Sequence, residues 1–304
     1  MFPGQASQYV GMGKDLYDRS ARVRELYELA SDEIGEDLAR LSFDGPAEEL
    51  KRTRFTQPAI LVHSLAVLAV LDDGLPPFDF ACGHSLGEYG ALAVTGSLSF
   101  EEAVRAVVKR AALMEAACVD NPGTMAAVMG LDEPSLVKVC DEASAAGVVV
   151  PANFNSKIQV AVSGSRPGVE KAVELAKAAG AKRAVMLEVG GAFHSPLMDS
   201  ARQGLQEYLE AVDLRPPSRP VVANVSAEPE DDPVRLKQLL VEQVTSPVRW
   251  SQTMEHLVAA GVTEIYEIGP GKVLTGLAKR DMRPEVSVNL DTLADIESFA
   301  AVKA

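Results

Sequence analysis

FACGHSLGEYGAL, residues 80–92, decides the fold. The apolar run from Phe78 to Cys82 reads as a strand and the stretch after Gly87 as a helix, with Gly83-His84-Ser85-Leu86-Gly87 fitting G-x-S-x-G between them. So tight a strand-to-helix turn strains the residue at its apex and leaves almost no room for side chains on either side. Two glycines meet that demand. Ser85 then stands at a helix N-terminus, where free backbone N–H groups, that of Leu86 included, can hold a developing oxyanion. The pattern points to a serine nucleophile; the bland alternative is a serine in an ordinary glycine-rich turn.

Outward from this elbow, apolar residues recur at helical spacing over roughly 21–31, 58–71, 99–116, 167–179 and 251–260. Short apolar runs at Phe78–Cys82, Met125–Met129, Val148–Ala152, Val160–Val162, Ala184–Val189, Val221–Val225 and Ile265–Ile268 read as strands. The alternation predicts an α/β protein: an α/β-hydrolase-like body with a mostly parallel sheet covered on both faces. Residues 123–190 follow their own order of strand, helix (Pro134–Ala143), strand, strand, helix (Pro167–Ala179), strand. That is a ferredoxin-like succession, so a subdomain over 123–190 is expected to interrupt a body made of 1–122 and 191–304. Leu214–Pro220 and Glu228–Pro233 read as surface connections.

The composition sets limits. With 29 basic and 43 acidic residues among 304, the net charge is −14, which repels nucleic acid and anionic membranes. The three cysteines, Cys82, Cys118 and Cys140, show no CxxC pair and no histidine at metal-ligand spacing, so reduced, packed thiols in a cytoplasm are expected. No apolar run reaches the roughly 18–20 residues of a membrane helix, and the start lacks the pattern of an export signal. Asp231-Asp232 has no partners for a metal site. GPGKVLTGL (269–277) lacks the spacing of a phosphate loop and reads as a turn ahead of a helix.

A serine hydroxyl needs a base, and four histidines are available. His63 and His256 lie in helical stretches, as packing or surface residues. His84 adjoins the serine, and adjacent strand residues face opposite ways. His194, in the loop VGGAFHSPLMD, is left by elimination. No acid to orient its ring is evident, since Asp199 reads as a first-turn residue of the next helix. Arg110 stands out for another reason: its helix opens with the capping box Ser99-x-x-Glu102, and its helical neighbours Ala106, Val107, Leu113 and Met114 are all apolar. A charge on an apolar face needs a partner, either a structural ion or a substrate. Arg105 and Lys109 face the polar side.

Together with FPGQASQYVGMG (2–13), TQPAI (56–60), GHSLGEYGAL (83–92), NFNS (153–156), GAFHSPLM (191–198), VEQVTSPVRW (241–250) and YEIGPGKVLTGL (266–277), the sequence resembles the malonyl-CoA:acyl carrier protein transacylases and the acyltransferase domains of fatty acid and polyketide synthases. The resemblance implies a ping-pong acyltransferase with malonyl-CoA and acyl carrier protein as partners, no metal and no bound cofactor. It casts Ser85 as nucleophile and His194 as its base, held by a main-chain carbonyl near Gln243. Gln5 and Leu86 would supply the oxyanion N–H groups, Arg110 the malonyl clamp, and Asn153 and Gln243 would line and order the pocket. Phe193 resembles the malonyl rather than the methylmalonyl type, and reads equally as a core aromatic. Two departures stand: Ala6 replaces the family's glycine in FPGQ(G)SQ, and Met1 directly precedes FPGQ where relatives have a short strand. A thioesterase or other hydrolase shares the elbow, and a carrier-docking module that has lost catalysis is the non-enzyme rival, which retention of Ser85 and His194 disfavours. A cytoplasmic monomer is expected.

Overall fold

The computed structural model describes residues 1–303. Its centre is the helix Thr53–Leu71, buried almost throughout, Gln57, His63 and Ser64 included. The sequence reading starts this helix at Pro58; the proline instead lies inside it and forgoes one backbone bond there. The helix is long and apolar enough to cross a membrane by length and composition, contrary to the expectation that no run reaches that length. Here it is a core element, packed between Ala21–Ile34 and Phe100–Asp120.

The strands among the described residues are β1 Ala81–Cys82, β2 Thr124–Met129, β3 Val149–Ser156, β4 Gln159–Gly164, β5 Arg183–Met186, β6 Val221–Val222, β7 Pro229–Glu230, β8 Glu264–Ile268 and β9 Val286–Leu290. They make a mixed α/β fold of three small sheets, and the single mostly parallel sheet expected from the sequence is not found. β1–β6 and β8–β9 are parallel, β6–β7 antiparallel, and β2–β5 wholly antiparallel. The reason is local. β1 and β6 keep ladder geometry for two residues each, and the join between β1 and β8 runs through Met1 and Phe2. Phe2 N–H donates to Cys82 O (3.0 Å), His84 N–H to Phe2 O (3.0 Å) and Ile268 N–H to Met1 O (2.9 Å). That bridge stands where the pattern expects a short strand ahead of FPGQ. Glu228–Pro233, read as a plain connection, contains β7, and β9 was not anticipated.

Residues 124–186 form the order β5-β2-β4-β3, with Glu133–Ala143 and Arg166–Ala178 packed on the sheet through a core of their own that includes Val128, Leu136, Val162 and Val169. β3 continues through NFNS, four residues past the predicted end, and ties to the body where Phe154 N–H donates to Val248 O (2.9 Å) and Val248 N–H to Ala152 O (2.8 Å). Register shifts at Pro151/Asn153 and Phe154/Ser156 mark bulges, which re-aim side chains. The elbow after β1 faces this sheet across a cavity of about 260 Å³.

Candidate active site

The elbow closes as its glycines require. A Cβ on Gly83 would lie 2.0 Å from Gly87 O, and one on Gly87 would lie 2.2 Å from Phe2 O, so neither position accepts any side chain. Ser85 is held at φ 54°, in the left-handed region, at the start of Gly87–Val94. Asn224, just beyond β6, holds this conformation from both sides: its Oδ1 accepts Ser85 N–H (2.7 Å) and its Nδ2 donates to Gly83 O (2.7 Å).

His194 sits at φ 57° and is buried, with Nε2 2.9 Å from Ser85 Oγ. Its Nδ1–H donates to the main-chain oxygen of Gln243 at 2.8 Å, leaving Nε2 as the acceptor for the serine proton. Burial first, then the charge of Arg110, pushes the imidazole down to about 3, so it is neutral and able to take a proton. Asp199 plays no part: it opens Asp199–Glu210 and pairs with Arg202.

Arg110 is completely buried. Nη1 donates to Gln57 Oε1 (2.6 Å), and Nη2 donates to both Ser85 Oγ (2.9 Å) and Gln243 Oε1 (2.9 Å). Nε has no partner, and no carboxylate lies within ion-pair distance, among the described residues. Arg105 and Lys109, by contrast, are exposed. A desolvated cation with an unpartnered Nε is left to be balanced by an anion.

The backbone N–H groups of Gln5 and Leu86 make no hydrogen bond among the described residues, whereas that of Ser85 is taken by Asn224. Two free donors at the FPGQ turn and the elbow can meet an oxyanion formed over Ser85. Ala6, the departure in that turn, is at φ 79°. The cavity takes its apolar wall from Met114, Met125, Leu187, Val189 and Phe193, and Asn153 lines it beside the bulge of β3. Phe193 lines the cavity and also belongs to the main core, as its reading as a core aromatic expects. Gln243, expected to line the pocket, stands behind the cavity with Arg110, and neither is on its wall.

Three participants escaped the sequence reading: Gln57, Asn224 and Glu88. Glu88 Oε2 accepts from Gln243 Nε2 (2.7 Å) and Asn224 N–H (3.1 Å). Burial pushes its carboxyl up to about 7, with the two hydrogen bonds and Arg110 opposing. A signal existed, since GEYGALAV carries Glu88 as its sole charge, the same anomaly that singled out Arg110. Asn224 and Gln57 left no such mark.

The remaining motifs find structural duties. His63 Nε2 meets Asp291 at 2.9 Å, His84 Nε2 meets Asn155 Oδ1 at 2.9 Å, and His256 lies by Glu228. The GPGKV turn precedes Val273–Asp281, whose Leu274 and Thr275 N–H groups are already taken by the buried carboxylate of Glu267 (3.0 and 2.7 Å). Asp232 caps Pro233–Gln243. The cysteines are unpaired, and burial pushes each thiol up.

Residues 1–295 match the model of the acyl transferase domain. The chain is 46% identical over 282 residues to the malonyl CoA-acyl carrier protein transacylase of Bacillus subtilis, covering 92% of this chain and 89% of that one. It is 44% identical to the enzyme of that name from Escherichia coli K12, covering 92% and 91%. Among solved structures it is similar to an acyl-carrier-protein-S-malonyltransferase from Bartonella henselae, with TM-score 0.94, 42% identity and 99% and 97% coverage. It is also similar to a malonyl-transacylase in complex with a type II PKS acyl-carrier protein, with TM-score 0.93, 39% identity and 99% and 98% coverage. A strained serine, a neutral histidine on its oxygen and a match along almost the whole length lead to one conclusion: the chain belongs to the acyl transferase family.

Proposed function

We infer that the protein moves a malonyl group from coenzyme A to the pantetheine thiol of acyl carrier protein, supplying extender units for fatty acid or polyketide synthesis. The observation that carries this reading is Arg110: a buried guanidinium without a carboxylate partner among the described residues, hydrogen-bonded to Ser85 Oγ. An acyl group ending in a carboxylate supplies the missing anion.

Ser85 Oγ attacks the thioester carbonyl as its proton passes to His194 Nε2, and the oxyanion is held by the N–H groups of Gln5 and Leu86. The C–S bond breaks, the proton goes to the coenzyme A sulfur, and malonyl remains as an ester on Ser85. In the second half the carrier thiol gives its proton to His194, its sulfur attacks the ester, and Ser85 recovers the proton. Arg110 holds the malonyl carboxylate throughout, Gln243 orders Arg110 and His194, and Asn153 and Phe193 shape the pocket. The chemistry needs no metal or organic cofactor. The antiparallel succession over 123–190 supports a ferredoxin-like subdomain inserted in an α/β-hydrolase-like body of 1–122 and 191–304, and the enzyme acts as a cytoplasmic monomer.

Intact-protein mass spectrometry with malonyl-CoA tests the reading. A malonyl adduct on Ser85 that persists in water and is discharged by holo carrier protein is expected. Rapid loss to water makes the protein a hydrolase, and no adduct at all makes it a docking module.

A further inference from the structure

Behind the reacting atoms lies one carboxylate that acyl transfer does not use. Glu88 sits in the first turn of Gly87–Val94, three residues past the nucleophile and fully buried. Its Oε2 accepts Gln243 Nε2 at 2.7 Å, and the other end of the same amide, Oε1, accepts Arg110 Nη2 at 2.9 Å. The ends of an amide are chemical opposites, so this contact decides which one Arg110 meets. Were the amide turned over, an NH₂ would face a guanidinium N–H, donor against donor. Gln243 Nε2 also donates to Ser85 O (3.1 Å), and Glu88 Oε2 also holds Asn224 N–H, so the acid is tied to the elbow as well.

We propose that Glu88 is a positioning residue for the malonyl clamp, fixing the side-chain amide of Gln243 so that an oxygen always faces Arg110. This rests on the reading that Arg110 binds the malonyl carboxylate. Two anions around one buried cation fit if each has its own edge of the guanidinium. Gln243 occupies one bond of Nη2 as a relay from Glu88, and the unpartnered Nε leaves a donor to spare. The titratable or charged groups facing Glu88 are Arg110 from Phe100–Asp120, Tyr89 on its own helix and Cys82 on β1. Burial holds Tyr89 and Cys82 neutral, so Arg110 is the charge that Glu88 balances.

Glu88→Leu removes the acceptor. Glu88→Gln keeps one, because Oε2 takes both bonds while Oε1 has no partner among the described residues. The readout is kcat and KM for malonyl-CoA and acetyl-CoA in both variants, with Arg110→Ala alongside. Glu88→Leu is expected to lower the malonyl-to-acetyl ratio of kcat/KM about tenfold or more, the loss of one charge-assisted hydrogen bond, and Glu88→Gln to restore most of it. Equal loss for both substrates, or Glu88→Gln no better than Glu88→Leu, overturns the proposal. If Arg110→Ala leaves the ratio unchanged, the clamp itself falls; if it lowers the ratio while Glu88→Leu does not, Glu88 alone is dismissed. Should Glu88→Leu not fold, the Gln243 side-chain amide can be followed by ¹⁵N NMR. It is expected to shift as pH passes through about 7 in the wild type, where Glu88 ionises, and to stay fixed in Glu88→Gln. A Gln243 amide resonance at the same position in the wild type and Glu88→Gln at every pH overturns the proposal equally.

Discussion

Arg110 Nη2 and His194 Nε2 each lie 2.9 Å from Ser85 Oγ. The nucleophile therefore accepts from a cation while it donates to its base. Arg110→Ala strands the malonyl carboxylate in an apolar cavity, a loss of about 3–5 kcal/mol, or roughly two to four decades in kcat/KM for malonyl-CoA. Acetyl-CoA has no carboxylate and is expected to fall far less, through the altered serine alone. Arg110→Lys, a point charge in place of a planar fork, should fall between. The ratio of kcat/KM for the two substrates decides; equal decline makes Arg110 a support of the elbow only.

Ser85→Ala should abolish the covalent adduct and leave the fold intact, since the elbow's shape is set by Gly83, Gly87 and Asn224. In His194→Ala, stopped-flow acylation should slow by at least about a hundredfold, the low end for a general base. A malonylated Ser85→Ala protein would move the nucleophile elsewhere.

The pH dependence has a definite sign. His194 ionises at about 3 in the folded protein against an ordinary 6.5, so below 6.5 the unfolded chain takes a proton that the native state refuses. Stability present above pH 6.5 is thus lost progressively as pH falls towards 3. Denaturant midpoints should decline over that window and decline less in His194→Asn. For acetyl-CoA, which does not use the clamp, log kcat/KM should show no acidic limb at the usual histidine value. A limb with its midpoint at 6.5 would contradict a buried neutral base.

Ala6 at φ 79° adopts a conformation that costs an L-residue about 1–2 kcal/mol. Ala6→Gly removes this cost, and the greater freedom of the unfolded chain takes back about 0.4–1 kcal/mol. A net gain of up to about 1.6 kcal/mol corresponds to a rise of at most roughly 2–3 °C in Tm by calorimetry for a chain of this length. A lower Tm would mean that the turn depends on the methyl group.

Acidic carrier proteins must dock against a net charge of −14, so local cations should matter. Lys272, Lys279 and Arg280 are exposed on or beside Val273–Asp281, whose Val273, Leu274 and Leu277 line the cavity; Lys182 and Arg183 are exposed at the start of β5. Charge reversal at these positions should raise KM for carrier protein several-fold, mostly through slower association, and spare malonyl-CoA. If the two KM values move together, the docking face lies elsewhere.

Sequence made the local features plain: the elbow, the capping box of Ser99 and Glu102, the βαββαβ succession and the anomalous charge of Arg110. The elbow, the capping box and the setting of Arg110 are written in a spacing of a few residues, and the succession in the order of neighbouring elements. What stayed hidden depends on distant pairing. A two-residue strand such as β1 or β6 carries no periodicity, so the extent and hand of the body sheets could not be read. Asn224 reaches Ser85 across 139 positions and Gln57 reaches Arg110 across 53, and amides on such paths look like any surface amide in the sequence. The unpaired state of the Gln5 and Leu86 N–H groups is likewise a property of the folded backbone.

Nucleophile, base, clamp and elbow are supplied by segments outside β2–β5, while Met125, Asn153 and Ala161 of those strands form the facing wall of the cavity. Part of the fit is thereby written apart from the chemistry, while Met114 and Phe193 share their segments with Arg110 and His194. A lineage could enlarge or narrow the range of acyl chains it accepts by altering the wall, with every bond to Ser85 Oγ left in place.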